Sequence, residues 1–139
     1  MIEEKIFEIL NLADGYQKMD NSSKKMSLEF MEKEWDNLPD EKYITSETSI
    51  IALMMINEYM YFKDFEKAKK WADILSKNRK GSNTGGNEMI LGKIYFEEGN
   101  FETAKHYFND AYEKSKGREF QDEDPKYLDF YRNPEKYMK

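Results

Sequence analysis

His106 is the only histidine in this 139-residue chain and there is no cysteine, which excludes thiol nucleophiles, disulfides and thiolate zinc sites. A lone histidine is also poorly suited to metal binding or to a nucleophile–base pair, both of which group histidine with carboxylates or a second histidine. It falls beside Lys105 on the expected outward side of a helical segment and reads as an exposed surface residue. The acidic residues are numerous but not arranged for chemistry. No D-x-[DN]-x-[DN]-G loop occurs, and Asp122-Glu123-Asp124 runs straight into Pro125, so it reads as a solvated acidic turn rather than a calcium loop. Gly81 and Gly86 have the G-x4-G spacing of a phosphate loop, but such a loop needs a lysine next to reach the phosphates and a hydroxyl for magnesium. Asn87-Glu88 follow instead, and no strand precedes. That stretch reads as a connector. No catalytic, cofactor-binding or metal-binding residue is assigned, and no enzymatic activity or cofactor is expected.

The net charge of −6, from 28 acidic and 22 basic residues, sets the chain against polyanions, which bind by releasing counterions to a basic surface. Lys67, Lys69, Lys70, Lys77, Arg79 and Lys80 do gather locally, but Glu66 and Asp73 interrupt them, as on a solvated helix face. Neither nucleic acid nor membrane is expected as a partner. The longest apolar stretch, residues 50–56, falls far short of the roughly 18 residues of a membrane span. The opening MIEEKIFEIL is acidic and amphipathic, unlike a signal peptide. Together with the lack of cysteine, this makes the cytoplasm the expected compartment.

What remains is the framework that would display a surface. Three prolines, Pro39, Pro125 and Pro134, leave long segments free to be helical. Apolar residues spaced by three and four predict helices over about 2–18, up to 37, 46–62, 65–77, 88–97 and 101–115, with no alternating strand pattern. Asp20 to Ser23, Ser46, Asp64 and Asn100 supply caps at the breaks. Residues 79–87 are expected as a loop, and Asp124-Pro125 and Asn133-Pro134 as two short N-cap-plus-proline helix starts. The expected fold class is all-α.

An internal repeat organises these helices. Asp64-Phe65-Glu66-Lys67-Ala68-Lys69 aligns with Asn100-Phe101-Glu102-Thr103-Ala104-Lys105, and the offset of 36 residues also lays Tyr59 on Tyr95, Met55 on Leu91 and Leu75 on Ala111. Leu91-Gly92-x2-Tyr95 followed by Ala104-x3-Phe108 resembles the tetratricopeptide-repeat pattern, whose period is about 34 residues. Glu88 stands where that pattern has tryptophan, and Lys116 where it has the closing proline. The small residues Gly92 and Ala104 suit close helix crossings, and Tyr95, Phe101 and Phe108 suit the space between hairpins. The preceding hairpin matches less closely, with Ile56 at the glycine position and Ala72 at the phenylalanine position. The resemblance implies stacked helix–turn–helix hairpins: a degenerate first one over 1–38, a second over 46–78 and a third over 88–115. A C-terminal cap over 120–139 would follow, its aromatic face either closing the stack or meeting a partner.

It further implies a concave groove lined by the first helix of each hairpin. In register, that groove would be formed by Leu53, Asn57, Met60 and Tyr61 with Met89, Lys93, Phe96 and Glu97. Tyr61 and Phe96 are the expected anchors for a partner, since desolvated aromatics tend to dominate binding energy. Among these residues, only Asn57 and Lys93 could clamp a peptide carboxylate. The expected function is a non-catalytic scaffold that binds a protein or peptide, with a basic partner favoured by the acidic charge. Residues 123–130 resemble the tail of small bacterial repeat proteins found near toxin–antitoxin genes, which would make the chain an immunity protein against a basic toxin. The alternatives are a small regulatory or enzymatic domain using a carboxylate and tyrosine surface, or a homo-oligomeric structural protein.

Overall fold

The computed structural model describes residues 4, 20–39, 46–78 and 84–138, and among them every regular element is helical. The long helices are α1 (Asn21–Asp36), α2 (Ser46–Tyr61), α3 (Phe65–Asn78), α4 (Gly86–Glu98), α5 (Phe101–Ser115) and α6 (Pro125–Arg132). Two short 3-10 turns, Arg118–Phe120 and Pro134–Lys136, flank α6. The helix expected over 2–18 lies outside the described residues except for residue 4, as do Arg79 and Lys80 and most of the glycine connector. α2 packs on α3 and α4 on α5 as antiparallel hairpins, and α3 lies against α4 to join them. α4 begins at Gly86, two residues before the expected start, with the Met89 N–H bonded to the Gly85 carbonyl (2.9 Å).

Side-chain caps fix most of the boundaries. Asp20 accepts from the Ser23 N–H at 2.8 Å, Asp64 from Lys67 at 3.3 Å, Asn100 from Thr103 at 3.3 Å and Asp124 from Lys126 at 3.0 Å. Each satisfies a donor that the first helical turn leaves without a partner. Asn133 behaves otherwise. Its side-chain amide donates to Asp129 (3.1 Å), so the expected second proline-led helix is only the turn Pro134–Lys136.

The sequence repeat is also a repeat of backbone geometry. At the first hairpin turn, Lys63 N–H donates to Met60 O (3.1 Å) and Asp64 N–H to Tyr59 O (2.9 Å). At the second, Gly99 N–H donates to Phe96 O (3.0 Å) and Asn100 N–H to Tyr95 O (2.9 Å). Lys63 (φ 59°) occupies the left-handed position that Gly99 (φ 91°) holds in the next repeat. That conformation costs a side-chain-bearing residue about 1–2 kcal/mol, against about 0.5–1 kcal/mol of extra chain entropy for glycine. Lys63→Gly is therefore expected to stabilise the protein by about 0.5–1 kcal/mol. A higher urea midpoint at unchanged slope would report it.

Packing inside the hairpins follows the same register with sizes exchanged. A Cβ on Gly92 would lie 2.6 Å from the Phe108 ring, so α4 and α5 approach this closely because position 92 has no side chain. One repeat earlier, the equivalent positions carry Ile56 and Ala72, both buried, with the large residue on the first helix. Ala68 and Ala104 are wholly buried at equivalent positions of α3 and α5.

Two apolar clusters result. One joins α1, α2, α3 and part of α4 around Trp35 and Trp71, whose ring centroids are 5.2 Å apart. The other is mainly aromatic and lies between α4, α5 and α6. Phe96 is at its centre, 5.3 Å from Phe101, 5.3 Å from Tyr127, 5.2 Å from Phe130 and 5.6 Å from Tyr137 between ring centroids. α6 thus covers the open end of the last hairpin with Tyr127 and Phe130.

Candidate binding cleft

α4 packs on α3 and approaches α2 less closely, which leaves a cleft of about 330 Å³ between α2, α4 and the turn that leads into α6. Its floor is aliphatic: Leu53, Ile56 and Met60 from α2 face Ile90 and Ile94 from α4. Its rim is polar, with Asn57, Lys93, Glu123, Asp124 and the edge of Tyr127. A preformed apolar depression with a few convergent polar groups is the usual form of a binding site.

Ion pairs define the rim. Lys93 Nζ donates to both oxygens of Glu123, at 2.8 and 3.0 Å, and this ties α4 to the acidic turn. Just beyond the cleft, Lys126 Nζ lies 2.7 Å from Glu97, which also accepts from the Tyr127 hydroxyl at 2.9 Å. Burial, and then the hydrogen bond to Glu97, push the Tyr127 phenol far above its ordinary range and keep it a donor. Asp124 caps α6 and, among the described residues, has no cation within salt-bridge distance. One acidic charge is therefore left over at the rim.

The expected groove residues fall into four groups. Leu53, Asn57, Met60 and Lys93 line the cleft together. Glu97 sits at its margin, held by Lys126 and Tyr127. Met89 and Phe96, 2% and 9% exposed, point the other way and are buried in the aromatic cluster, so they are core and not groove. Tyr61 is 59% exposed but lies outside the cleft, where its hydroxyl donates to Asn21 (3.2 Å) and the Lys24 ammonium sits over its ring. The two expected anchors are thereby displaced: Phe96 is covered by α6, and Tyr61 faces α1. The apolar spacing did not reveal Ile56, Ile90 and Ile94, because α2 and α4 are each apolar on several sides at once. Glu123 and Asp124 were visible only as an acidic turn and, for Asp124, a helix cap.

Outside the cleft several charges are paired within the fold. Lys69 binds Glu98 (2.8 Å) and Glu66, Lys70 binds Glu32, Lys77 binds Asp73, and Lys67 sits over the Tyr59 ring. His106 is exposed on α5 beside Asp110. Among the described residues, the carboxylates with displaced proton affinity are Asp20 at the cap of α1, Glu32 within α1 and Asp129 on α6. All three are lowered: Asp20 by its capping bonds to Ser23, Asp129 by Lys136 and Tyr137, and Glu32 by donors that outweigh its burial. These are bonds that serve the fold, and they do not converge in one pocket. Among the described residues, no three histidine or acidic side chains come together as a metal would require, and no helix is long and apolar enough to cross a membrane.

In comparisons with family models, curated proteins and solved structures, nothing matches this chain.

Proposed function

We propose that the chain is a non-catalytic protein-binding module, a tetratricopeptide-like stack that takes a segment of another protein in the cleft between α2 and α4. The observation that carries this is the cleft itself: an aliphatic floor from Leu53, Ile56, Met60, Ile90 and Ile94 under a polar rim. Exposed apolar surface gathered in a concavity gains most from a partner that covers it. The net charge of −6 favours a basic partner and makes association faster at low salt. A toxin that acts on nucleic acid would be basic for the same electrostatic reason, so an immunity role is one form of this function. The resemblance of residues 123–130 adds little surface to it, because Tyr127 and Phe130 are buried in the core. The alternative of a carboxylate-based active site has less support, since the displaced carboxylates each serve a different helix end or joint.

A photo-crosslinking residue in place of Asn57, on the cleft rim, is expected to trap a protein partner in native extract. The same residue in place of His106, on the outer helix α5, should not trap that partner. Equal trapping from both positions, or trapping from His106 alone, would remove the cleft as the binding face.

A further inference from the structure

The α2–α4 cleft and the aromatic joint between α4 and α6 are the same place in successive repeats. The 36-residue offset carries Leu53 onto Met89, Met60 onto Phe96, Leu91 onto Tyr127 and Ile94 onto Phe130. Tyr59, Tyr95 and Tyr131 also fall on one another, so α6 is a shortened first helix in register with α2 and α4. In the joint, aromatic residues close the space: the Phe96 ring lies 5.3 Å from Tyr127 and 5.2 Å from Phe130. At the equivalent positions Leu53, Met60 and Ile94 line the cleft and are of shorter reach, Leu91 packs against the first cluster instead, and about 330 Å³ stays open. The last joint also shows what fills such a place. The dipeptide Lys126-Tyr127 seats its ring against Phe96, places its ammonium over that ring at 5.7 Å and pairs it with Glu97 at 2.7 Å.

Resting on the protein-binding function proposed above, we infer that the cleft receives an aromatic side chain from an internal segment of a partner protein. A lysine or arginine adjacent to it, or one helical turn away, is directed at Asp124 and Glu123. The charge at the rim selects this occupant. Lys93 is already neutralised by Glu123, which disfavours an acidic peptide or a terminal carboxylate, whereas Asp124 has no cation of its own among the described residues. An aromatic ring buries a large apolar area on this aliphatic floor, and a cation beside the exposed Asp124 adds orientation.

The test uses the full chain against random peptides displayed in two formats, one internal and one with free C-termini. Internal peptides with Phe, Tyr or Trp and a Lys or Arg within four positions are expected to be enriched. Methyl resonances of Leu53, Met60, Ile90 and Ile94 should move when they bind. The double variant Glu123→Gln/Asp124→Asn keeps a capping residue at 124 and should weaken the selected peptides by about tenfold or more, with the loss confined to basic ones. Leu53→Trp fills the cleft from within and should abolish binding while the circular dichroism spectrum stays helical. Enrichment of acidic, free-carboxylate or purely aliphatic peptides overturns the aromatic–basic occupant and leaves the cleft as a binding face. No enrichment at all, or selected peptides that bind Leu53→Trp at full strength, sinks the cleft and the protein-binding function with it.

Discussion

Phe96→Ala should cost about 3–5 kcal/mol of unfolding free energy, the range for truncating a large aromatic in a packed core. That is a large share of the roughly 5–15 kcal/mol that holds a domain together. The expectation follows from what the ring touches. Phe101, Phe108, Tyr127, Phe130 and Tyr137 all have ring centroids within 6.5 Å of it, most at edge-to-face angles. Each such pair contributes about 0.5–1.5 kcal/mol beyond buried area, and alanine would remove them together. α6 holds its place mainly through these contacts, so the variant should also release it. Urea denaturation would read the stability loss, and faster tryptic cleavage after Lys126 and Arg132 would read the release of α6. A stability loss with native cleavage would mean that α6 is held elsewhere. Native values of both would mean that Phe96 is not the centre of this joint. For the same reason, Phe96→Ala is a poor probe of partner binding: any loss of affinity would be mixed with loss of the cap.

The misplacement of Phe96 shows where the sequence stops being informative. A helix with one buried side shows a single apolar stripe, and α3 and α5 have one: Ala68, Trp71, Ala72 and Leu75 on the first, Ala104, Phe108 and Ala111 on the second. Their caps, turns and repeat register were legible for that reason, and with them the all-helical architecture. α4 instead contributes Ile94 to one cluster and Met89 and Phe96 to the other, while Ile90 and Lys93 face the cleft. With apolar contacts on several sides, periodicity cannot say which side is open. The register led to Leu53, Asn57 and Met60, which line the cleft, because α2 faces a neighbour that leaves a gap. Carried forward to Met89 and Phe96, it met a neighbour that fills the gap. The size of the residues on α6 decides the difference, and only packing reveals it.

Glu32 marks the other limit, and the second large effect is expected there. Between Met31 and Lys33, with Glu29 and Glu34 nearby, it looks like one more solvated acid on α1. In the structure its side chain is only 12% exposed and joins three helices. The Tyr59 hydroxyl donates to it from α2 at 2.7 Å, and the Trp71 indole N–H from α3 at 2.9 Å, with the Lys70 ammonium as its counter-ion. Nothing local signals donors that come from 27 and 39 residues away. Burial pushes the carboxyl up, but the bonds from Lys70, Trp71 and Tyr59 outweigh it and hold the group below its ordinary value of 4.5. Glu32→Ala would strand the buried phenol and indole donors, each at about 1–3 kcal/mol, while the half-exposed Lys70 can turn to water. A total loss of about 2–4 kcal/mol is expected, with Glu32→Gln intermediate because its carbonyl still accepts one bond. The lowered value also fixes the sign of the pH dependence. The contribution is fully present above the ordinary 4.5 and is lost as pH falls through the folded-state value. Wild type and Glu32→Gln should therefore differ most in urea midpoint near neutral pH and converge as pH falls below the folded-state value. A gap that persists undiminished into acid would mean that packing, and not the charged carboxylate, accounts for what Glu32 contributes.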